Sequence, residues 1–146
     1  MKEDAKTRKV ALYQFLKTAV LTLKLRPGSD LDETALSDEF ALSRTPLREV
    51  FRQLAGEGYI DLRENRGARV SEMSHTTLRD FFLTAPMIYG AVLRLAAKNA
   101  QPEQIERLKA AQSAFRASLR AGSGEDRALA NSLFHEITGE MADNIY

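Results

Sequence analysis

Two stretches near the start of the chain carry apolar residues at the spacing of an amphipathic helix. The first runs from about Thr7 to Leu23, and its apolar stripe consists of Val10, Tyr13, Leu16, Val20 and Leu23, widened by Phe15 and Ala19. Pro27 and Gly28 end it, because proline disfavours the helical conformation in the preceding residue and glycine permits a turn. Asp32 can then cap a short second helix, about Glu33 to Phe40, which is expected to bury Ala35, Leu36 and Phe40.

A third helix is predicted from Ser43 to Gly56, and it has two distinct faces. The residues of its apolar face occupy positions i, i+3, i+4 and i+7: Leu47, Val50, Phe51 and Leu54. Arg44, Arg48 and Arg52 recur four residues apart and drift only about 40° per step on an α-helix, so they form a stripe away from the apolar face. Either Ser43 or Thr45 can be the N-cap. In both cases Pro46 falls in the first turn, where its missing N–H removes no intrahelical hydrogen bond.

The spacing of the apolar residues changes after Gly58 from that of a helix to that of a strand. Residues 59–62 predict a short strand, residues 64–67 have the composition of a turn, and residues 68–70 predict a returning strand. Residues 1–74 therefore have the element order helix, helix, helix, hairpin, which is the order of a winged helix-turn-helix. In such a domain the third helix is the recognition helix and the hairpin is the wing.

Residues 75–146 are predicted to be helical throughout. A broad apolar stripe extends from about Thr76 to Ala100, and Pro86 inside it is expected to kink the helix or to split it in two. Pro102 opens a further helix that ends at Gly122, and the last helix starts near Glu125. The fold class is thus mainly α, with a partial all-α helical bundle after the winged domain. Three helices with wide apolar faces make a thin bundle, so we expect partner helices to be missing or to come from a second chain.

The composition excludes several classes of protein. The chain has 146 residues, a net charge of +1 and no cysteine, which excludes disulfide bonds and thiolate chemistry. Its two histidines are far apart in sequence and it has no phosphate-binding glycine loop, so we find no nucleophile–base or acid–base set and do not expect an enzyme. The charged start of the chain shows no secretory signal, and no apolar run approaches the ~18 residues of a membrane span, so a cytoplasmic protein is expected.

Positive charge is concentrated locally in this nearly neutral chain. Residues 44–69 contain six arginines and four acidic residues. A stripe of arginines on a helix is usually only a solvated surface. Here it begins at a helix N-terminus, where a guanidinium can bond a guanine edge while hydroxyl and N–H groups hold phosphate. Duplex DNA is therefore the predicted partner. The alternative is a helical protein-interaction module whose arginine face docks on an acidic partner, and competition by duplex DNA separates the two.

Some arginines of this segment can be interpreted either as DNA contacts or as structural residues. Arg52 lies further along the third helix and can pair either with Glu49 or with a phosphate. Arg63, Arg66 and Arg69 of the hairpin can simply keep the edge of the sheet from pairing. Among them, Arg66 beside Gly67 at the tip is the stronger candidate for a DNA contact.

His135 also has two interpretations. His135-Glu136-Ile137-Thr138-Gly139 begins like the zinc-protease pattern H-E-x-x-H, but a glycine stands where the second histidine would be, so that ligand pair is absent. A lone histidine on a helix is more often structural. His75 lies in the connection between the two halves and is expected to be an exposed linker residue.

Several motifs together resemble the GntR family of bacterial transcription regulators. They are Leu25-Arg26-Pro27-Gly28, Leu36-Ser37-Asp38-Glu39-Phe40, Ser43-Arg44-Thr45-Pro46-Leu47-Arg48-Glu49, Leu54-Ala55-Gly56-Glu57-Gly58-Tyr59-Ile60 and Arg66-Gly67-Ala68-Arg69-Val70. The resemblance covers roughly residues 8–72. It implies a homodimeric DNA-binding protein, usually a repressor that reads a palindromic operator and responds to a small organic acid. DNA contacts would then come from the recognition helix and the wing tip, through Ser43, Arg44, Thr45, Arg48, Arg52, Asn65, Arg66 and Gly67.

Residues 75–146 resemble the start of the FCD effector and dimerisation domain of the FadR subfamily, through Leu95-Ala96-Ala97 and the Phe134-His135 … Asn144 pattern. The family's divalent metal (Zn or Ni) would fall on His135 and Asn131. The sequence departs from the pattern in three ways. Ala85 and Tyr89 stand where the family has an arginine and a glutamate, Asn131 stands where it has an acid, and the later helices with two further histidines are expected to be absent.

Overall fold

The computed structural model describes residues 4–64 and 66–144, and the chain divides into two compact units, Met1–Met73 and Ser74–Tyr146. The first unit contains three helices and a hairpin: α1 (Ala5–Leu21), α2 (Glu33–Glu39), α3 (Arg44–Gly56), β1 (Ile60–Arg63) and β2 (Gly67–Val70). The second unit contains three helices: α4 (His75–Asn99), α5 (Pro102–Ala121) and α6 (Gly124–Ala142). The predicted fold class, a winged helix-turn-helix followed by an all-α bundle, is confirmed.

The buried face of α1 partly matches the predicted one, since Leu16 and Ala19 are buried as expected, but Leu12 was not predicted. Leu12, Leu16 and Ala19 face the core, whereas Val10 and Leu23 are 55% and 63% exposed. Because α1 has apolar residues on more than one side, they form two neighbouring stripes. Only the packing against α3 determines which of the two is buried. The helix also ends at Leu21, before the proline, and Leu23 adopts a left-handed conformation with φ 59°.

The helix-turn-helix itself follows the sequence closely. Asp32 caps α2, and its Oδ1 accepts hydrogen bonds from the N–H groups of Thr34 and Ala35, each at 2.9 Å. Leu36 is buried as expected, but Ala35 is exposed, so the prediction for that residue was wrong. In α3 the predicted apolar face is confirmed, since four residues are at most 2% exposed: Leu47, Val50, Phe51 and Leu54.

The wing is an antiparallel hairpin in which Ile60 pairs with Val70 and Arg63 pairs with Gly67. The sequence did not predict that residues 28–31 run alongside β2. Backbone hydrogen bonds join Gly28 and Ser29 to Val70, and Leu31 to Ala68, at 2.8–2.9 Å. This segment covers the outer edge of β2 and ties the wing to the loop that precedes α2.

In the second unit, α6 packs against both α4 and α5. A small cluster of buried residues joins the three helices: Ala96, Ala111, Ile137, Met141 and Ala142. Pro102 opens α5 and Gly122 follows its end, as predicted. Pro86 does not split α4, which continues through it as one helix of 25 residues.

Much of α4 is apolar and exposed. No charged residue occurs between Phe81 and Leu93, and within that segment Phe82 and Met87 are 70% and 68% exposed. By length and composition alone, α4 could cross a membrane, with a mean hydropathy of 1.3 over 18 residues, whereas no apolar run of that length was predicted from the sequence. A charge-free segment this short is more typical of a helix covered by protein than of a membrane span.

Candidate nucleic-acid interface

The first turn of α3 presents polar groups to solvent. Ser43 is the N-cap, but its side chain accepts no hydrogen bond from the helix. Ser43, Arg44 and Thr45 are exposed, while Leu47 at the next turn is 1% exposed and fixes the helix to the core. The early N–H groups of a helix have no intrahelical acceptor. This end of α3 therefore combines donor groups, a guanidinium and the positive end of the helix dipole.

Arginines from α3 and from the wing line the same two neighbouring clefts. One cleft is lined by Arg48 and Arg52 of α3 and by Arg63 of β1, together with Phe51, Leu62 and Gly67. The other is lined by Arg44 and Arg48 of α3 and by Arg66 of the wing tip, among other residues. The structure thus brings together arginines that are up to 22 positions apart in sequence.

Glu33, the first residue of α2, lies in both clefts. Its Oε2 is 3.5 Å from the Nε of Arg48, and its side chain is 24% exposed. Its other carboxylate oxygen lies 3.1 Å from the position that a Cβ on Gly67 would occupy. One carboxylate therefore lies between the recognition helix and the wing. No local pattern in the sequence indicates this position of Glu33, because only the fold places α2 beside the hairpin.

Glu49 of α3 takes its close partner from α1. The Nζ of Lys9 donates a hydrogen bond to Oε2 of Glu49. This hydrogen bond and the charge of Lys9 lower the pKa of Glu49, with a smaller contribution from the charge of Arg52. Glu49, one of the two partners considered for Arg52, is therefore paired with Lys9. Arg52 lines the cleft next to Arg48.

At the wing tip, the N–H of Arg66 donates to the carbonyl of Arg63 at 3.3 Å, and Arg66 is exposed. Gly67 has φ +74°, a left-handed conformation that favours glycine, and a side chain there would also meet Glu33. Asn65, predicted to act beside them, lies outside the described residues. Arg69 points to a different partner, since it forms an ion pair with Asp30.

His135 lies in the second unit and stacks on Tyr89, with ring centroids 4.4 Å apart and 24° between the ring planes. Burial lowers its pKa. Asn131, one turn earlier, is exposed. Over residues 4–64 and 66–144, no three histidine, cysteine or acidic side chains lie together in a way that could hold a metal ion. Since a structural or catalytic zinc needs three or four protein ligands, His135 and Asn131 alone do not form a fitting site for Zn or Ni.

Two family models cover most of the chain. The model of the bacterial regulatory proteins of the gntR family matches residues 8–70, and the FCD domain model matches residues 87–146. The chain therefore has a gntR-family domain followed by an FCD domain. The resemblance predicted from its motifs is thereby confirmed for both halves.

Curated relatives support the same family. The HTH-type transcriptional repressor RspR of Escherichia coli K12 is 29% identical over 132 residues, which are 90% of this chain and 58% of that protein. The probable D-xylose utilization operon transcriptional repressor of Paenarthrobacter nicotinovorans is 28% identical over 133 residues, which are 89% of this chain and 57% of that protein. The chain thus spans less than two thirds of the length of these two relatives, which are named as transcriptional repressors.

Solved structures show the same fold. E. coli McbR/YncC has a TM-score of 0.72 and 20% identity, and the match covers 94% of this chain and 65% of that one. A putative GntR regulator from Rhodococcus sp. RHA1 has a TM-score of 0.66 and 18% identity, with coverage of 94% and 66%. At these identities the likeness shows the fold alone.

Proposed function

We propose that this protein is a transcriptional regulator that binds operator DNA through α3 and the wing. The observation that carries the proposal is the convergence of Arg44, Arg48 and Arg52 of α3 with Arg63 and Arg66 of the hairpin on adjoining clefts. Exposure of α3 to water alone does not account for the presence of hairpin arginines beside the arginines of α3. A polyanion that lies along α3 and reaches the wing would contact both sets at once.

In this proposal the N-terminal half of α3 enters the major groove. Arg44 and Arg48 lie one turn apart on the exposed face, and each guanidinium can donate two hydrogen bonds to O6 and N7 of a guanine. Ser43 and Thr45 are placed to donate to backbone phosphates together with the free N–H groups of the first turn. Arg52, two turns further along, suits a phosphate contact at the edge of the groove.

The wing would approach the adjacent minor groove. Arg66 is an exposed cation at the described part of the tip, and the left-handed conformation of Gly67 beside it shapes the turn. Narrow minor grooves attract arginine through their negative potential. Asn65, outside the described residues, belongs to the same proposed contact.

Three further features complete the proposal and rest on family membership. We propose that the protein acts as a homodimer on a palindromic operator, because winged regulators with one recognition helix per chain read half-sites in pairs. We propose repression as its mode of action, since two relatives carry that description in their names. The FCD match supports the FadR subfamily and a small organic-acid effector, and a bacterial regulator of this kind would work in the cytoplasm.

The test is a selection from a random duplex library followed by affinity measurements on the selected operator. Arg44→Ala or Arg48→Ala should weaken operator binding by about 1–3 kcal/mol where the residue contacts a base, and Arg66→Ala should lower the salt slope by about one. Arg116→Ala, on the exposed surface of α5, is the matched control and should leave binding unchanged.

Two outcomes would overturn the proposal. One is a selection that enriches no duplex sequence. The other is an unchanged affinity in both α3 variants when circular dichroism shows intact folding. If an acidic protein, but not duplex DNA, competes for the arginine face, the alternative of a protein-interaction module would replace it.

A further inference from the structure

The turn between α2 and α3 contains a residue in an unfavourable backbone conformation. α2 ends at Glu39 and α3 begins at Arg44, so residues 40–43 alone join the two helices. Within this turn Ala41 has φ 47°, in the left-handed region that residues other than glycine seldom adopt. A residue in such a conformation persists only where the surrounding structure holds it there. The turn is therefore expected to depend on groups outside residues 40–43.

Two side chains from other elements hold this turn, and we term them the turn clamp: Arg8 of α1 and Ser37 of α2. Nη1 of Arg8 donates a hydrogen bond to the carbonyl oxygen of Ala41 at 2.5 Å. Oγ of Ser37 donates to the carbonyl oxygen of the next residue, Leu42, whose N–H in turn donates to the carbonyl of Ser37 at 3.0 Å. Two consecutive carbonyl groups of the turn are thus bound from two different helices.

The helix α1 also contacts α3 beyond the turn. Lys9, the neighbour of Arg8 in sequence, donates a hydrogen bond to Oε2 of Glu49 in the second turn of α3. Ser43, the N-cap of α3, makes no side-chain hydrogen bond with the helix that would fix its start. Adjacent residues of α1 therefore hold the recognition helix at two points, one just before its first residue and one along its length. Two such points define both the position of α3 along its axis and its rotation.

We infer that Arg8 is a positioning residue for operator recognition: its hydrogen bond to Ala41 sets the direction in which α3 presents Arg44 and Arg48. In this assignment Arg8 acts through the turn and makes no contact with a base. Side chains that read a ligand must be held within about 0.5 Å of their working geometry, so a small relaxation of the turn weakens the base contacts. The inference rests on the proposed operator binding and extends it to α1, a helix outside the interface.

The surroundings of Arg8 indicate that its hydrogen bond contributes direction rather than stability. Nε of Arg8 is buried and has no hydrogen-bond partner among the described residues. A buried donor without an acceptor costs free energy, and an apolar side chain of similar length would avoid that cost. Ala41 is exposed, so water can replace Arg8 at its carbonyl oxygen. Loss of the guanidinium is therefore expected to free the turn without unfolding the domain.

The test compares specific with non-specific DNA binding. Fluorescence anisotropy gives the affinity of each variant for the selected operator and for a random-sequence duplex, and thermal unfolding shows whether the variant is folded. Arg8→Met should lower the ratio of the two affinities at least about fivefold, which corresponds to the lower end of the discrimination from one bidentate base contact. Its melting temperature should stay close to that of the wild type. A residue that only stabilised the fold would change the melting temperature and leave the ratio for the folded protein unaltered.

Two further variants separate the hydrogen bond from the charge. Lys6→Met removes one positive charge from the exposed surface of the same helix, so it should weaken both affinities alike and leave their ratio unchanged. Arg8→Lys keeps the charge and a donor for the carbonyl of Ala41, so it should restore most of the ratio.

Three results would overturn the inference: a ratio for Arg8→Met equal to that for Lys6→Met, an Arg8→Lys ratio as low as that of Arg8→Met, or an Arg8→Met chain that does not fold. Each of them leaves operator binding by the wild type intact. A wild-type chain that selects no duplex sequence would instead overturn the proposed function, and the inference with it.

Discussion

Arg69 of β2 and Asp30 of the loop before α2 are joined by two hydrogen bonds. Nε of Arg69 donates to Oδ1 of Asp30 at 2.7 Å, and Nη2 donates to Oδ2 at 3.2 Å. The same two residues form the β-bridge that links residues 28–31 to the wing. The hydrogen bonds and the positive charge of Arg69 lower the pKa of Asp30. These two hydrogen bonds fix the base of the wing, while its tip remains exposed.

The first prediction concerns the pH dependence of this ion pair. Since the folded-state pKa of Asp30 lies below its unfolded value, the stabilisation is complete above the unfolded value of about 4 and disappears as the pH falls through the folded value. Arg69→Gln should therefore lower the melting temperature at neutral pH, and the difference from wild type should shrink in strong acid. Thermal unfolding followed by circular dichroism over a pH series measures this. Arg26→Gln, an exposed change in the same unit, serves as control, and a difference that does not depend on pH would contradict the prediction.

The second prediction concerns Glu33, whose carboxylate lies between Arg48 and Gly67. A negative charge in an arginine-lined cleft repels any phosphate that enters it. Glu33→Gln should strengthen binding to non-operator DNA about threefold, the effect of removing roughly 0.6 kcal/mol of repulsion between unit charges some 7 Å apart in water. Binding to the operator should gain less, because the variant loses the partner that orients Arg48.

Fluorescence anisotropy with a random-sequence duplex and with the selected operator measures both affinities. The matched control is Glu39→Gln, which removes the same charge from the other end of α2. If the two glutamine variants behave alike, the effect is one of net charge alone and Glu33 has no special position.

The third prediction compares the two apolar faces of α1. Leu12 is fully buried, and Leu12→Ala should cost about 2–5 kcal/mol of the free energy of unfolding, because it leaves a cavity in the core. Val10 is 55% exposed, and Val10→Ala should change it by less than about 0.5 kcal/mol. Urea unfolding of both variants measures the difference. A Val10→Ala effect as large as that of Leu12→Ala would contradict the assignment of Leu12 to the core and of Val10 to the surface.

The contrast between α1 and α3 shows how far the sequence determines a buried face. In α3, the positions between Leu47 and Leu54 that lie outside the apolar stripe are all charged or polar, so only one face of the helix can be buried; they are Arg48, Glu49, Arg52 and Gln53. In α1, apolar residues occur on several sides, and the choice of Leu12 and Leu16 depends on what packs against them. Element order, helix ends and the wing were predictable because Pro, Gly and Asp act locally.

The candidate site was predictable only where its residues are close in sequence. The arginine stripe of α3 follows from the four-residue spacing, and the wing tip follows from its turn composition. The charged partners of residues in this segment belong to other elements. Glu33 reaches Arg48, Asp30 reaches Arg69 and Lys9 reaches Glu49 only through the tertiary fold, so no local pattern indicates these contacts.

The last prediction concerns His135, which stacks on Tyr89. Burial lowers the pKa of His135, so the folded state holds the neutral ring, and this contribution to stability is lost as the pH falls from the unfolded value of about 6.5 through the folded one. Tyr89→Ala uncovers the imidazole and should raise its pKa towards the ordinary value. NMR titration of the histidine Hε1 signals measures the change, and His75→Gln assigns them. An unchanged midpoint would show that other groups bury His135, whereas a rise would establish the stack as the cause.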